Sequence, residues 1–182
     1  MLRRRFLQAA LGAAWLAPLR AATEKARDLN LRVTDIRTYV VHVGSVNWVF
    51  CKVFTNQGLA GLGEGSITSK EATLSDAILE HKRYLIGKDP TDIELHWQAM
   101  FRSPRWRGGP ILNSAISAVE IALWDILGQA LGQPIWKLLG GKARERVRLY
   151  KDVGSTPEAF LQAKEEGYTA GKSGFIRIDK EI

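Results

Sequence analysis

The residues best suited to chemistry here are guanidinium groups. Arg105-Trp106-Arg107 places two of them around an indole, an arrangement that fits bidentate recognition of an anion such as a carboxylate. The favoured reading of the triplet is structural, satisfying loop carbonyls or stacking a guanidinium on Trp106. The three histidines, His42, His81 and His96, show no metal-ligand spacing and read as solvent-facing or helix-surface residues. Cys51 is the single cysteine, so no internal disulfide forms, and its Val- and Phe-rich surroundings mark it as a small buried hydrophobe. Glu64 and Asp125 read as structural hydrogen-bonding acids rather than catalytic ones. Phosphate-loop, zinc and serine-nucleophile motifs are absent from the sequence.

These groups must be positioned by the elements around them. Leu31 to Val43 and Val46 to Thr55 are β-branched and apolar, Asn56-Gln57-Gly58 is a turn, and Leu59 to Glu64 completes a three-stranded antiparallel meander. Thr68 and Glu71 have capping-box spacing and open a helix expected to run to about Ile86 and stop at Gly87. Pro90 starts another helix through Ile93, Trp97 and Met100. Ser103 to Gly109 is a loop. From Pro110, apolar residues recur at three- and four-residue steps through Leu112, Ile116, Val119, Leu123 and Ile126, ending at Gly132. That helix has the apolarity of a membrane span, but Glu120 and Asp125 near its middle would be costly in lipid, so no stable membrane span is expected. Gln133-Pro134 restarts a short helix, and Gly140-Gly141 closes the region. The spacing of Gly128 and Gly132 reads as a close packing point and a cap.

Beyond this, Arg146 to Asp152, a helix from Thr156-Pro157-Glu158 to about Gly167, and Tyr168 to Lys172 form a strand–helix–strand unit, the signature of a parallel sheet. The expected fold class is α+β, a three-stranded antiparallel meander followed by a helical bundle, with a truncated (β/α) barrel start.

A chain of 182 residues carries one good core, or one domain and the start of another. Its net charge of +7 is largely local. Four of the 26 basic residues and none of the 19 acids lie in the first 21 positions, which leaves +3 on the rest, mixed in sign and without a basic stripe. Nucleic acid is therefore not an expected partner. Arg3-Arg4-Arg5-Phe6-Leu7 followed by Gln8 fits a twin-arginine export signal, with an apolar stretch from Leu11 to Leu19 too short to span a bilayer and small residues at Ala21-Ala22. Residues 1–22 are expected to be that signal, and the location periplasmic or exported.

The run from Arg107 to Gly141, RGGPILNSAISAVEIALWDILGQALGQPIWKLLGG, resembles the end of the N-terminal capping domain in the mandelate racemase and muconate lactonizing branch of the enolase superfamily. IRTYVV at 36–41, CKVFTNQGLAGLGEGS at 51–66, LIGKDP at 85–90 and GYTAGK at 167–172 resemble further pieces in the same order, so the likeness covers residues 31–174. WRGGP followed by SAIS and ALWD is most similar to sugar-acid dehydratases of the galactonate type. The resemblance implies an enolase-like capping domain over residues 31–141 and an incomplete barrel start over 146–182.

It also implies a reaction, abstraction of the proton α to a carboxylate with loss of the β-hydroxyl. The substrate would be a sugar acid, and Mg2+ the cofactor of the complete relative. The family's metal ligands end the third to fifth barrel strands, and only what resembles the first two is present. No metal residue is therefore assigned, and the chain is expected to hold no metal and to be inactive alone. Lys172 aligns with the first lysine of the family's K-x-K pattern and is the candidate catalytic residue. Gly174 stands where the second lysine would be, which disfavours the alternative of a racemase or cycloisomerase. Trp48, after the Gly44-Ser45 break, and Ser66, ending Glu64-Gly65-Ser66, fall where the family lowers loops over the barrel mouth. With Arg107 they are the candidate substrate-binding residues. A non-catalytic fragment or binding module is the reading from another class. Partial-barrel strands with open edges predict self-association, and the tail Phe175 to Ile182 does not resemble the family.

Overall fold

The computed structural model describes residues 29–174; the signal expected at 1–22 and the tail 175–182 lie outside the described residues. The chain divides between Gly141 and Lys142 into two compact units.

In the first unit, β1 (Val33–Val43), β2 (Val46–Thr55) and β3 (Ala60–Glu64) form an antiparallel sheet in sequence order. Val43 pairs with Val46 across a two-residue turn, and Gly44 takes its first position at φ 61°, the left-handed backbone such turns need. The register sets Ile36 opposite Val53, Thr38 opposite Cys51 and Val40 opposite Val49. Side chains alternate faces along a strand, so Ile36, Val49, Cys51 and Val53 all point to one face, where they are fully buried. Burial pushes the Cys51 thiol up to about 12 from its ordinary 9.0. The neutral thiol is thus favoured by folding. That stabilisation is complete below pH 9.0 and is lost as pH rises toward about 12. Denaturant titrations across this range are expected to show the loss, with Cys51 inert to thiol reagents until the protein unfolds.

The helices cover this face. Helix α1 (Glu71–Glu80) buries Leu74 and Ile78, a short helix α2 (Lys82–Leu85) follows, and α3 (Ile93–Arg102) buries Ile93, His96 and Met100. The expected capping box does not form. Lys70, not Thr68, precedes the first turn of α1 and gives no side-chain cap, while the Glu71 carboxylate takes the Ser69 N–H at 3.2 Å. Nor does one helix run to Ile86. The chain breaks at His81 and turns at Gly87 (φ 80°), because residues 87–88 pair with the start of β1: Gly87 N–H donates to Val33 O at 2.8 Å, and Val33 N–H to Lys88 O at 2.9 Å. Lys82 pins the same corner through Asp35 at 2.8 Å. Lys82 first, then Arg37, holds the Asp35 carboxyl down to about 2.

The long helix α4 (Pro110–Leu131) begins with Pro110 at its first turn and ends at left-handed Gly132, as the sequence predicts. Its length and apolarity match those of a membrane span, yet Val119, Leu123 and Ile126 are buried in the core beside the sheet. Close contact with β3 depends on glycine. A Cβ on Gly61 would stand 1.9 Å from Ala122 O, one on Gly63 1.9 Å from Ala118 O, and one on Gly65 2.7 Å from Ser114 O. Two strand residues rise about 6.6 Å and four helical residues about 6 Å, so the two repeats stay in step over three contacts. Gly128 serves the short helix α5 (Ile135–Leu138) in the same way, its missing Cβ leaving room for Ile135.

The second unit contains β4 (Lys151–Asp152), α6 (Pro157–Glu165) and β5 (Gly171–Lys172). β4 and β5 are parallel, with Lys151 opposite Gly171 and Asp152 opposite Lys172. The strands expected from Arg146 and from Tyr168 shrink to these two pairs, since Arg146 to Tyr150 find no ladder partner among the described residues. Thr156 caps α6 by accepting the Ala159 N–H at 3.4 Å.

Candidate functional site

β1 and β3 both run toward the end of the sheet where the β1–β2 turn lies, so that turn and the segment after β3 are neighbours. Hydrogen bonds stitch them together. Gly65 N–H donates to Val49 O at 3.1 Å, and Val49 N–H donates to Ser66 Oγ at 2.9 Å. Trp48 immediately precedes that joint. It lies on the sheet face away from the helices, edge-on to Phe50 with centroids 6.1 Å apart, and is 45% exposed. Two candidate residues 18 positions apart, Trp48 and Ser66, are therefore brought to one place. Ser66 is half-buried, its Oγ already engaged and its N–H donating to Glu64 Oε1 at 2.8 Å.

A polar chain runs beside them on the opposite face of the hairpin, unforeseen from the sequence. His42 Nδ1 and Asn47 Oδ1 are 2.9 Å apart, Asn47 Nδ2 reaches Glu71 Oε1 at 3.4 Å, and the same oxygen takes the Ser69 N–H. The backbone N–H of Glu71 itself, then that of Ser69 and the Asn47 amide, hold the Glu71 carboxyl below its usual range. His42 and Asn47 form a cross-strand pair, readable once a hairpin register is drawn. Glu71 lies 24 residues from Asn47 and carries no local signal.

Glu64 and Asp125 serve the backbone. Asp125 Oδ2 accepts the Leu62 N–H at 2.9 Å, and Gln129 Nε2 donates to Ala60 O at 2.9 Å, so helix side chains occupy the free edge of β3. Asp125→Ala is expected to cost about 1–2 kcal/mol by leaving Leu62 unpaired, and Asp125→Asn much less, as read from urea midpoints.

Arg107 makes no hydrogen bond to Trp48 or Ser66 among the described residues. It lines a separate cavity of about 280 Å³ with Arg105 and Trp106. Lys172 belongs to the second unit, exposed on β5. Among the described residues no three His, Cys, Asp or Glu side chains converge to hold a metal. The histidine reading needs one correction. His96 is not a surface residue but is 1% exposed, because it fills the space between α2 and α3 with both ring nitrogens engaged.

Residues 23–140 match the family described as mandelate racemase / muconate lactonizing enzyme, N-terminal domain. A D-galactonate dehydratase of Variovorax paradoxus (strain S110) is 44% identical over 131 residues, 72% of this chain and 34% of that protein. Another, of Ralstonia pickettii (strain 12J), is 41% identical over 149 residues, 82% of this chain and 38% of that protein. Among solved structures, an enolase from Pantoea ananatis with bound D-gluconate and Mg superposes with TM-score 0.73 at 38% identity, over 80% of this chain and 37% of that one. An enolase superfamily member from Salmonella Typhimurium gives 0.73 at 30% identity, over 79% of this chain and 42% of that one. The chain thus spans a little over a third of the length of the curated relatives it matches.

Proposed function

This chain belongs to the mandelate racemase / muconate lactonizing enzyme family through its N-terminal domain, and from that premise we propose that it provides the lid of a sugar-acid dehydratase. The reaction is removal of the α-proton of a hexonate-type acid and loss of its β-hydroxyl. The 40–44% identity to D-galactonate dehydratases supports this reading, and so does a solved neighbour that holds D-gluconate. The observation that carries it is the joint at Val49. One pair of hydrogen bonds fixes the Trp48 hairpin and the Ser66 loop side by side at one end of the sheet. An indole there excludes water and shapes the space over a bound acid, and the loop hydroxyl holds the hairpin in place.

In this reading Mg2+ belongs to the catalytic barrel of the complete enzyme, and the 182 residues alone do not turn over. The motive is that no cluster of metal donors forms among the described residues. Metal-dependent dehydration by the purified chain would overturn that part. The wider reading also takes residues 1–22 as an export signal to the periplasm and Lys172 as a residue of the barrel mouth. The exposed Val147, Leu149 and Leu161 support self-association of the isolated chain. A monodisperse monomer in light scattering would count against it.

The lid is tested by a chimera in which residues 31–141 replace the equivalent part of the Ralstonia pickettii dehydratase. The chimera is expected to dehydrate a sugar acid. Trp48→Ala in it is expected to raise KM about tenfold, the loss of roughly 1.4 kcal/mol of apolar contact. A folded chimera that dehydrates no sugar acid would refute the lid and favour a non-catalytic binding module.

A further inference from the structure

The cavity that takes up Arg107 is separate from the Trp48 and Ser66 joint, and its chemistry differs. Its floor is apolar, made by Ala77 of α1, Met100 and Phe101 of α3, and Leu112 and Ile116 of α4. Its mouth is the loop before α4. There Trp106 is 82% exposed, and Arg105 and Arg107 have no ion-pair partner among the described residues. Glu80 also lines the cavity, its carboxylate 3.9 Å from Arg83. Two guanidinium groups against the single carboxylate of Glu80 leave the lining net positive over a hydrophobic hole, complementary to an apolar body carrying one carboxylate.

We propose that this cavity binds a free amphipathic monocarboxylate, a ring or short alkyl chain inserted among Met100, Phe101 and Ile116 with its carboxylate between Arg105 and Arg107. The volume of about 280 Å³ suits a small acid of this kind. Guanidinium forks bind carboxylate bidentately, and the apolar floor gains from losing water. His81, also lining the cavity, is held below its ordinary value by burial, against the opposing pull of Glu80. Sugar acids are excluded by the same physics. Their hydroxyls would lose water against a floor with nothing to replace it. The cavity is therefore a second acid site with opposite selectivity, and it does not depend on the lid reading.

The test is an equilibrium titration of the 182-residue protein with benzoate and hexanoate, followed by calorimetry and tryptophan fluorescence. Saturable binding of both acids is expected. Benzamide and hexanamide are expected to bind about tenfold more weakly or worse, and gluconate not to compete. The double variant Arg105→Gln/Arg107→Gln is expected to weaken the acids about tenfold and leave the amides unchanged. Both arginines are exposed, and circular dichroism checks that the variant folds; should it not, the acid-to-amide ratio on the unaltered protein decides. The proposal is overturned by any one of four results: no saturation by about 10 mM (weaker than roughly −3 kcal/mol), amides equal to acids, effective competition by gluconate, or a folded double variant that binds the acids unchanged.

Discussion

Gly63→Val is expected to abolish soluble, folded protein, and Gly63→Ala to cost about 3 kcal/mol or more. A Cβ at this position meets Ala118 O at 1.9 Å and the following Ala122 N at 3.1 Å, both backbone atoms of α4. No side chain can swing away to relieve that, so strand and helix must separate, opening the buried seam between β3 and α4. Overpacking ordinarily costs 1–3 kcal/mol where side chains can adjust. Here they cannot, and a domain of this size has only about 5–15 kcal/mol in total. Gly58→Ala is the contrasting control. Its turn glycine sits at φ 80° with nothing within 4 Å of the added carbon, so only backbone strain of about 1 kcal/mol is expected. Equilibrium urea unfolding of the two alanine variants checks the difference. A Gly63→Ala midpoint equal to that of Gly58→Ala would dismiss the close strand–helix seating.

His96→Ala is expected to cost about 3 kcal/mol. A carbonyl only accepts, so His96 Nε2 donates to Asp89 O at 2.6 Å; in the neutral ring Nδ1 then accepts from the Tyr84 hydroxyl at 3.1 Å. The rings of Tyr84 and His96 also meet edge-on at 5.6 Å. Removing the imidazole leaves a void and the Tyr84 hydroxyl without this partner, and takes one of two donors from Asp89 O, which keeps the Asp92 N–H at 3.4 Å. Tyr84→Phe removes one of the two hydrogen bonds and is expected to cost about 1 kcal/mol. The double variant should then cost less than the sum of the two, because the shared hydrogen bond is counted in both. Additive losses would show that the Tyr84 bond contributes nothing.

His96 also marks a limit of reading from residue types. Histidine is usually placed outside, and nothing in IELHWQAM distinguishes an imidazole held between two helices from one facing water. Burial there depends on segments the helix itself does not contain, which bring Tyr84 and the Asp89 carbonyl to the ring. The break before α2 was equally hidden. Residues 71–86 read as one helix, but a turn at His81 divides it before Gly87 and Lys88 pair with β1. The capping box at Thr68 failed for a related reason, since Ser69 takes a left-handed conformation at φ 64° and turns the chain before the helix begins.

What the sequence by itself determined was everything carried by near neighbours. The three strands and their order, the Pro110 start and Gly132 stop of α4, the Thr156 cap and the strand–helix–strand sense of the second unit rest on periodicities of 2 and 3.6 and on backbone preferences of Gly and Pro. These act within a few residues. The acids Glu64 and Asp125 were legible as hydrogen-bonding groups, though not their partners. Only the tertiary structure decided which faces meet: Gly61, Gly63 and Gly65 under Ala122, Ala118 and Ser114; Trp48 beside Ser66; Glu71 reaching Asn47; and Arg107 over an apolar hole instead of beside Trp48. The physical reason is range. A turn or a cap is complete within one segment. A seam between strand and helix exists only when two distant segments present matching shapes, and neither segment carries a record of the other.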